Sequence, residues 1–155
     1  MLFKFIKERY PDFTVKKSED SYDDECVLLL NPQGSDDIMV TYSEITADYN
    51  EYTFFFSTQH AHFDDKEILA EYIDRFISGS TGAIEFYNDG KDIHGGDVEI
   101  PTEGIKSITD WADWLDDTDD NLIGLEVKIT TWDGVENVHG VFVLKDGKAV
   151  LITNE

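Results

Sequence analysis

Two histidines stand one residue apart in QHAHFDD, at His60 and His62, with Asp64 and Asp65 close behind. On a β-strand, residues two apart point to the same side. Such a pair binds zinc once a third and a fourth ligand join it. No His-x-x-Glu-His or Cys-x-x-Cys accompanies the pair, and His94 and His139 lie at no ligand spacing from it. A structural reading competes with the metal. Asp64 is a good helix N-cap, and Glu67 sits three residues later, as a capping box requires. Phe63 and Ile68 would then form the hydrophobic staple. On this reading the histidines pack or hydrogen-bond at a strand-to-helix corner. The expectation is that corner, with no cofactor. A small metal-dependent enzyme built on His60 and His62 is the alternative.

Other chemistry is sparse. Asp117-x-Asp119-x-Asn121 matches the first three ligand positions of an EF-hand loop. The match then fails, because Leu122 stands where glycine is needed and Lys128 where a bidentate glutamate is needed. There is no Gly-x-Ser-x-Gly nucleophile elbow, and Cys26 has no activating signature around it. GSTG (79–82) carries too few glycines to cradle phosphate, and no lysine follows it. Carboxylates are too numerous to single out a catalytic pair. The chain is expected not to be an enzyme.

ITDWADWLDD places Trp111 and Trp114 three residues apart among Asp110, Asp113, Asp116 and Asp117. Trp111 reads as core. Trp114 reads either as half-buried on a helix flank or as an anchor for a partner, since tryptophan is a favoured interface residue and acids around it select a basic ligand. Asp113, Trp114, Asp116, Asp117, Asp119 and Asp120 are therefore the expected partner-binding set. Five acids between positions 113 and 120 would lie at a helix C-terminus, where negative charge is unfavourable. The loop SEDSYDDE (18–25), with Glu19, Asp20, Asp23, Asp24 and Glu25, is the next candidate.

The charge balance points the same way. Thirty-four acids against twelve bases give a formal net charge of −22 over 155 residues. That field repels nucleic acid and anionic lipid surfaces. It attracts basic proteins and speeds association with them. A composition that is 41% hydrophobic and 13% aromatic supports a packed core. No apolar run approaches the roughly 18 residues of a membrane span. MLFKFIKERY has no cleavage site of a signal peptide, and the single cysteine suits a cytoplasmic protein.

The expected fold class is α+β, one domain over residues 1–155. An antiparallel, mostly meander sheet packs with two or three helices. A helix over 2–10 stops before Pro11. CVLLL (26–30), the turn NPQG (31–34) and DIMVTY (37–42) read as a hairpin, ITADY (45–49) as an extension of the meander, and YTFFFST (52–58) as a further strand. The strongest helix is 65–78, with Ile68, Leu69, Tyr72, Ile73, Phe76 and Ile77 as its apolar stripe and Gly79 closing it. AIEFYNDG (83–90) is a strand entering a turn, with DVEI (97–100) as its return. Ser107 would cap a helix presenting Ile108, Trp111, Ala112 and Leu115, and DDTDDN (116–121) would be an acidic loop. The C-terminal stretch reads as two hairpins with Asp133-Gly134 and Asp146-Gly147 at two-residue turns. Trp132 would then face Val135, Ile129 Val138, Leu125 Phe142, and Phe142 Leu151. One face carries Leu125, Ile129, Phe142 and Leu151, and the other Val141, Val143, Val150 and Ile152. A helix must cover one, and another element or a partner the other.

An aromatic strand, then His-x-His-Phe-Asp, then an amphipathic helix, then a strand ending in Asn-Asp-Gly resembles small bacterial proteins of polymorphic toxin systems, over residues 52–90. The resemblance implies an acidic, α+β, catalytically inert immunity-type protein that binds and blocks a basic, nuclease-like toxin domain. A structural domain that assembles through its apolar sheet face, as a homodimer for example, is the rival expectation.

Overall fold

The computed structural model describes residues 1–19, 23–33 and 36–154. Asp20 of the SEDSYDDE loop and Gly34 of the expected NPQG turn lie outside the described residues. The class is α+β, and the described residues form two antiparallel sheets of five strands each and four helices.

The first sheet is a pure meander of β1 (Val15–Lys17), β2 (Glu25–Leu29), β3 (Ile38–Thr46), β4 (Tyr49–Phe56) and β5 (Gln59–Phe63). ITADY does extend the meander: Ile45 and Thr46 end β3, Ala47 and Asp48 make the turn, and Tyr49 starts β4. It is the tip of the β3–β4 hairpin, with Thr46 opposite Tyr49. Phe54 and Phe56 on β4 fall on the same side and are fully buried, as the strand period of two requires. They pack with Val27, Leu29, Ile38 and Val40 against two helices, α1 (Leu2–Arg9) and α2 (Lys66–Ile77).

Helix α2 starts one residue later than the sequence suggests. Its N-cap is Asp65, whose carboxylate accepts from the Glu67 and Ile68 backbone N–H groups at 2.7 and 3.2 Å. Asp64 is therefore not the cap, and the Phe63–Ile68 staple does not form: Ile68 is 52% exposed. The one-residue shift brings Leu69, Ala70, Tyr72, Ile73 and Phe76 inward. Tyr72 and Phe76 from that set meet Phe54 with ring centroids 4.9 and 4.8 Å apart, a packing choice that the adjacent Asp64 and Asp65 could not reveal in the sequence. Gly79, at φ 81°, ends the helix as expected.

Arg9 and Tyr10 tie α1 to α2 through one carboxylate. The Arg9 guanidinium donates to Asp74 at 2.7 Å and the Tyr10 hydroxyl at 2.6 Å. Burial alone would raise the Asp74 pKa, but these two hydrogen bonds outweigh it and hold the carboxyl below its ordinary 3.8.

The second sheet runs β10-β9-β8-β6-β7, from β6 (Thr81–Asn88), β7 (Lys91–Glu99), β8 (Glu126–Thr130), β9 (Val138–Lys145) and β10 (Lys148–Thr153). Asp89 and Gly90, at φ 52° and 77°, form a two-residue turn, so Lys91 already pairs with Asn88. The return strand thus starts well before DVEI, and KDIHGG belongs to it. After β7 the chain makes a 3₁₀ turn (Ile105–Ser107), then α3 (Trp111–Trp114) and α4 (Asp119–Leu122), before β8 pairs with the far side of β6. Ser107 caps nothing; its hydroxyl donates to the Gly104 carbonyl at 2.7 Å inside the 3₁₀ turn. The segment 116–121 is not a plain loop, since α4 begins within it.

The C-terminal register agrees with expectation at Ile129–Val138, Phe142–Leu151 and Val143–Val150. Phe142 N–H donates to the Leu125 carbonyl at 3.0 Å, in the same register. Asp146 and Gly147, at φ 53° and 79°, form the second turn as expected. The first turn differs. β8 ends at Thr130 and β9 begins at Val138, so Trp132 and Val135 are not a strand pair. Trp132 turns away into the first sheet's core, 4% exposed beside Phe13 and Phe56. Asn137 closes the widened connection by accepting from the Thr131 N–H at 2.7 Å. Ile84, Phe86, Val127, Ile129 and Phe142 form a second core with Trp111 and Leu122. The opposite face is left open near β9 and β10, with Val143 37% and Ile152 52% exposed.

Two outcomes follow. Asp65→Ala should cost about 1 kcal/mol in urea denaturation, and Asp64→Ala much less; equal costs would put the cap elsewhere. Asp74 has a depressed folded pKa, so its contribution is present above the unfolded value and lost as pH falls through the folded one. The stability gap between wild type and Asp74→Asn should therefore shrink as pH drops below about 4. A gap that is constant down to pH about 2 would show that the Arg9–Asp74–Tyr10 contacts add nothing.

Candidate protein-binding interface

The expected partner-binding set does come together, but across two short helices, with only Asp116 and Asp117 at a helix C-terminus. Asp110 is the N-cap of α3 and accepts from the Asp113 N–H at 3.1 Å. It also meets the Lys148 ammonium at 3.0 Å, and that hydrogen bond holds its carboxyl below the usual range. Asp116, at φ 54°, takes the left-handed position that ends α3. The Asp116 and Asp117 N–H groups then bond back to the carbonyls of Asp113 and Ala112, at 3.1 and 2.9 Å. This is the Schellman arrangement, with aspartate where glycine is usual.

Asp117 accepts from Asn121 Nδ2 and from the Thr118 N–H, both at 2.8 Å, and these lower its carboxyl pKa. Thr118 caps α4 by accepting from the Asn121 N–H at 3.3 Å. Asp119 accepts from the Ala149 N–H at 2.9 Å and so pins α4 to β10. Asp113 lies in the first turn of α3, and Asp119 and Asp120 in that of α4. Acids are favourable there. The expected cost of acids at a C-terminus is thus mostly absent, and local structure accounts for Asp117 and Asp119. Asp113, Asp116 and Asp120 are exposed, and their carboxylates make no hydrogen bond to another described residue.

Trp111 is buried against Phe142, with ring centroids 5.6 Å apart. Trp114 stands edge-on to Trp111 at 5.5 Å and is half-buried. Its outer side lines a hollow of about 420 Å³ with Leu115, Val98, Asp97, Glu99 and Asp116. Trp114, Leu115 and Val98 give it an apolar, aromatic side; Asp116 stands beside them, while the Asp97 and Glu99 side chains leave the opposite face of β7. Asp97 Oδ2 accepts from the Tyr72 hydroxyl at 2.6 Å. Burial and this bond raise the Tyr72 pKa well above the usual phenol. Chemically the hollow suits a long basic side chain: apolar stem on Trp114 and Leu115, cation near Asp116.

Asp97, Val98 and Glu99 were missed as site residues in the sequence. The Asp89-Gly90 turn was the available signal. A two-residue loop there starts the return strand at Lys91 and runs it alongside α3.

His60 and His62 do share one side of β5, with ring centroids 5.3 Å apart. His62 Nδ1 lies 2.8 Å from Glu51 Oε1 and 3.1 Å from Thr53 Oγ1, while His60 stacks on Phe55. No group of three or more His, Cys, Asp or Glu able to hold a metal occurs among the described residues. His94 stacks on Phe86, and His139 hydrogen-bonds Glu126. Cys26 is buried, which pushes its thiol pKa up.

One carboxyl pair does emerge. Burial would raise the Glu85 pKa, but hydrogen bonds with Asp92, Tyr87 and Thr58 and the charge of Lys128 hold it low. The Glu85 bond pushes Asp92 up, and Tyr87 up to about 12. In the SEDSYDDE segment, Asp24 accepts from the Glu44 N–H and Glu25 from the Leu2 N–H, both at 2.7 Å. Those acids hold backbone and are less available than the α3–α4 set.

The histidine pair gives a direct outcome. Neither added zinc nor a chelator should move the melting temperature, and His60→Ala with His62→Ala should leave it within a degree or two (about 0.5 kcal/mol for a surface change). Stoichiometric zinc by elemental analysis, with a chelator-sensitive melting temperature, would establish the metal site instead. A scan against protein-family models, a search of curated proteins and a search of solved structures each found no match to this chain.

Proposed function

We propose that the protein is a non-enzymatic, acidic binding protein that captures a basic protein partner, in the manner of an immunity-type inhibitor that blocks a nuclease-like toxin domain in the cytoplasm. The carrying observation is the half-exposed Trp114 at a hollow, beside three exposed carboxylates, Asp113, Asp116 and Asp120, that make no hydrogen bond to a described residue. An aromatic anchor ringed by acids, on a chain of net charge −22, draws in cationic ligands and repels nucleic acid.

A structural or assembly role is favoured by a different observation, the open face carrying Val141, Val143, Val150 and Ile152. Self-association through it must overcome repulsion between two strongly acidic copies, which weighs against a homodimer. Among the described residues, no helix is long and apolar enough to cross a membrane.

The test is genetic and kinetic. The product of the adjoining reading frame, expressed alone, should arrest growth, and co-expression of this chain should restore it. In vitro, association should slow steeply with salt, as the Debye length falls from about 10 Å at 0.1 M to about 3 Å at 1 M. Asp113→Asn, Asp116→Asn and Asp120→Asn together should lower the on-rate about tenfold, with a loss of about 1 kcal/mol of stability at most from the two helix first turns. Asparagine also tolerates the left-handed backbone at 116. Trp114→Ala should act mainly on dissociation. An unchanged on-rate and salt dependence in the triple variant would remove this surface from consideration.

A further inference from the structure

The strand beside the hollow is the last of its sheet in hydrogen bonding, although β5 of the first sheet approaches it. β7 ends the second sheet and spans Lys91–Glu99. Ile100 N–H donates to the Ser80 carbonyl at 2.8 Å, and the register pairs Val98 with Gly82 and Gly96 with Ile84. In an antiparallel ladder, hydrogen-bonded and non-hydrogen-bonded pairs alternate. The backbone groups of His94, Gly96 and Val98 therefore face β6. Those of Gly95, Asp97 and Glu99 face outward, and they make no hydrogen bond with a described residue. All three residues are exposed.

We infer that this edge is the docking site for an extended, basic segment of the partner protein, which adds to β7 as a sixth strand and seats a lysine or arginine side chain in the Trp114 hollow. The inference rests on the partner-binding reading and names how the partner is held. A strand laid along β7 satisfies the outward N–H and C=O groups of residues 95, 97 and 99. Cross-strand neighbours sit about 4.5–5.5 Å apart, so its side chains on one face lie beside Asp97 and Glu99. Those on the other face lie beside Val98 and reach over Leu115 and Trp114 towards Asp116.

Charge selects the occupant. A second copy of β7 would bring three acids (Asp92, Asp97 and Glu99) and one lysine (Lys91) against the same set, on two chains of net charge −22 each, and that repulsion is unfavourable. The edge thus excludes its own kind and accepts a strand of opposite charge. Gly95 and Gly96 leave the middle of the edge without side chains that could shield the backbone.

The test uses the whole protein, isotope-labelled, and two capped synthetic peptides. One is Thr-Arg-Val-Arg-Val-Arg-Thr; the other has the same sequence with every backbone nitrogen methylated, so that neither of its edges keeps an N–H. The charge is identical, but the second cannot form the ladder. The first peptide should slow amide exchange at Gly95, Asp97 and Glu99 and shift the Trp114 indole signal. Methylation should weaken binding about tenfold or more, the loss expected for two or three backbone hydrogen bonds. Trp114→Ala should weaken the first peptide while amide dispersion shows the fold intact. Equal binding of both peptides, with shifts confined to Asp113, Asp116 and Asp120, would overturn strand addition and leave the acidic binding surface standing. Absence of binding by either peptide at low salt would also overturn it. Growth rescue by co-expression bears on the partner-binding reading alone.

Discussion

Trp132 belongs by sequence to the second sheet and by packing to the first. Its ring fills the first core between Phe13 and Phe56, and its carbonyl accepts from the buried Asn31 side chain at 2.7 Å. Asn31 in turn holds the β2–β3 connection, donating to the Asp36 carbonyl at 2.9 Å and accepting from the Gln33 N–H at the same distance. Each sheet covers one of its faces with helices. The Trp132–Asn31 clasp, with Ala83 packed into the same core, fixes the two relative to each other. A buried amide with its groups satisfied is favourable only in one arrangement, so the clasp sets geometry as well as adding burial. The β6–β7 hairpin and the hollow beside it inherit their position from that union, because Asp97 reaches Tyr72 on the first sheet's helix.

The acids divide into two populations. Asp65, Asp110 and Asp117 each accept a backbone N–H at a turn or helix start, and Asp119 accepts one from the edge strand β10. These satisfy donors that would otherwise be orphaned, and their charge is incidental to that duty. Asp113, Asp116 and Asp120 stand outside this network. An acidic composition can therefore arise partly from capping, and only the remainder describes an interaction surface. The distinction matters for the hollow. Asp116 meets it from a left-handed turn, whereas Asp97, whose place is set by Tyr72, and Glu99 project from the other face of the strand that bounds it.

The sequence made the long-period features legible. The stripe of α2, the Gly79 stop and the C-terminal register all follow from spacings that recur over many residues. Local ambiguity defeated the rest. With Asp64 and Asp65 adjacent, either could cap, and only packing of Leu69 and Phe76 against Phe54 chooses between them. Asp133-Gly134 matches a tight turn as well as Asp146-Gly147 does, yet the first widens because Trp132 gains a core that lies far away in the chain. KDIHGG lacks both the apolar alternation and the β-branched content of a strand, so its pairing comes from the turn before it. The hollow was invisible for the same reason, since one wall of it is that strand.

The two sheets differ in how far the chain must travel to close them. Every neighbour in the first sheet is next in sequence, joined by a short hairpin or loop. In the second, β8 reaches β6 only after the excursion through α3 and α4, and Asn31 meets Trp132 across a separation of 101 residues. Distant closures carry a larger entropy cost before any contact rewards them, and they slow a search. All three tryptophans, Trp111, Trp114 and Trp132, sit in or beside those late closures. Intrinsic fluorescence during refolding would consequently report the second core and the joining of the halves, and stay dark while the first meander assembles.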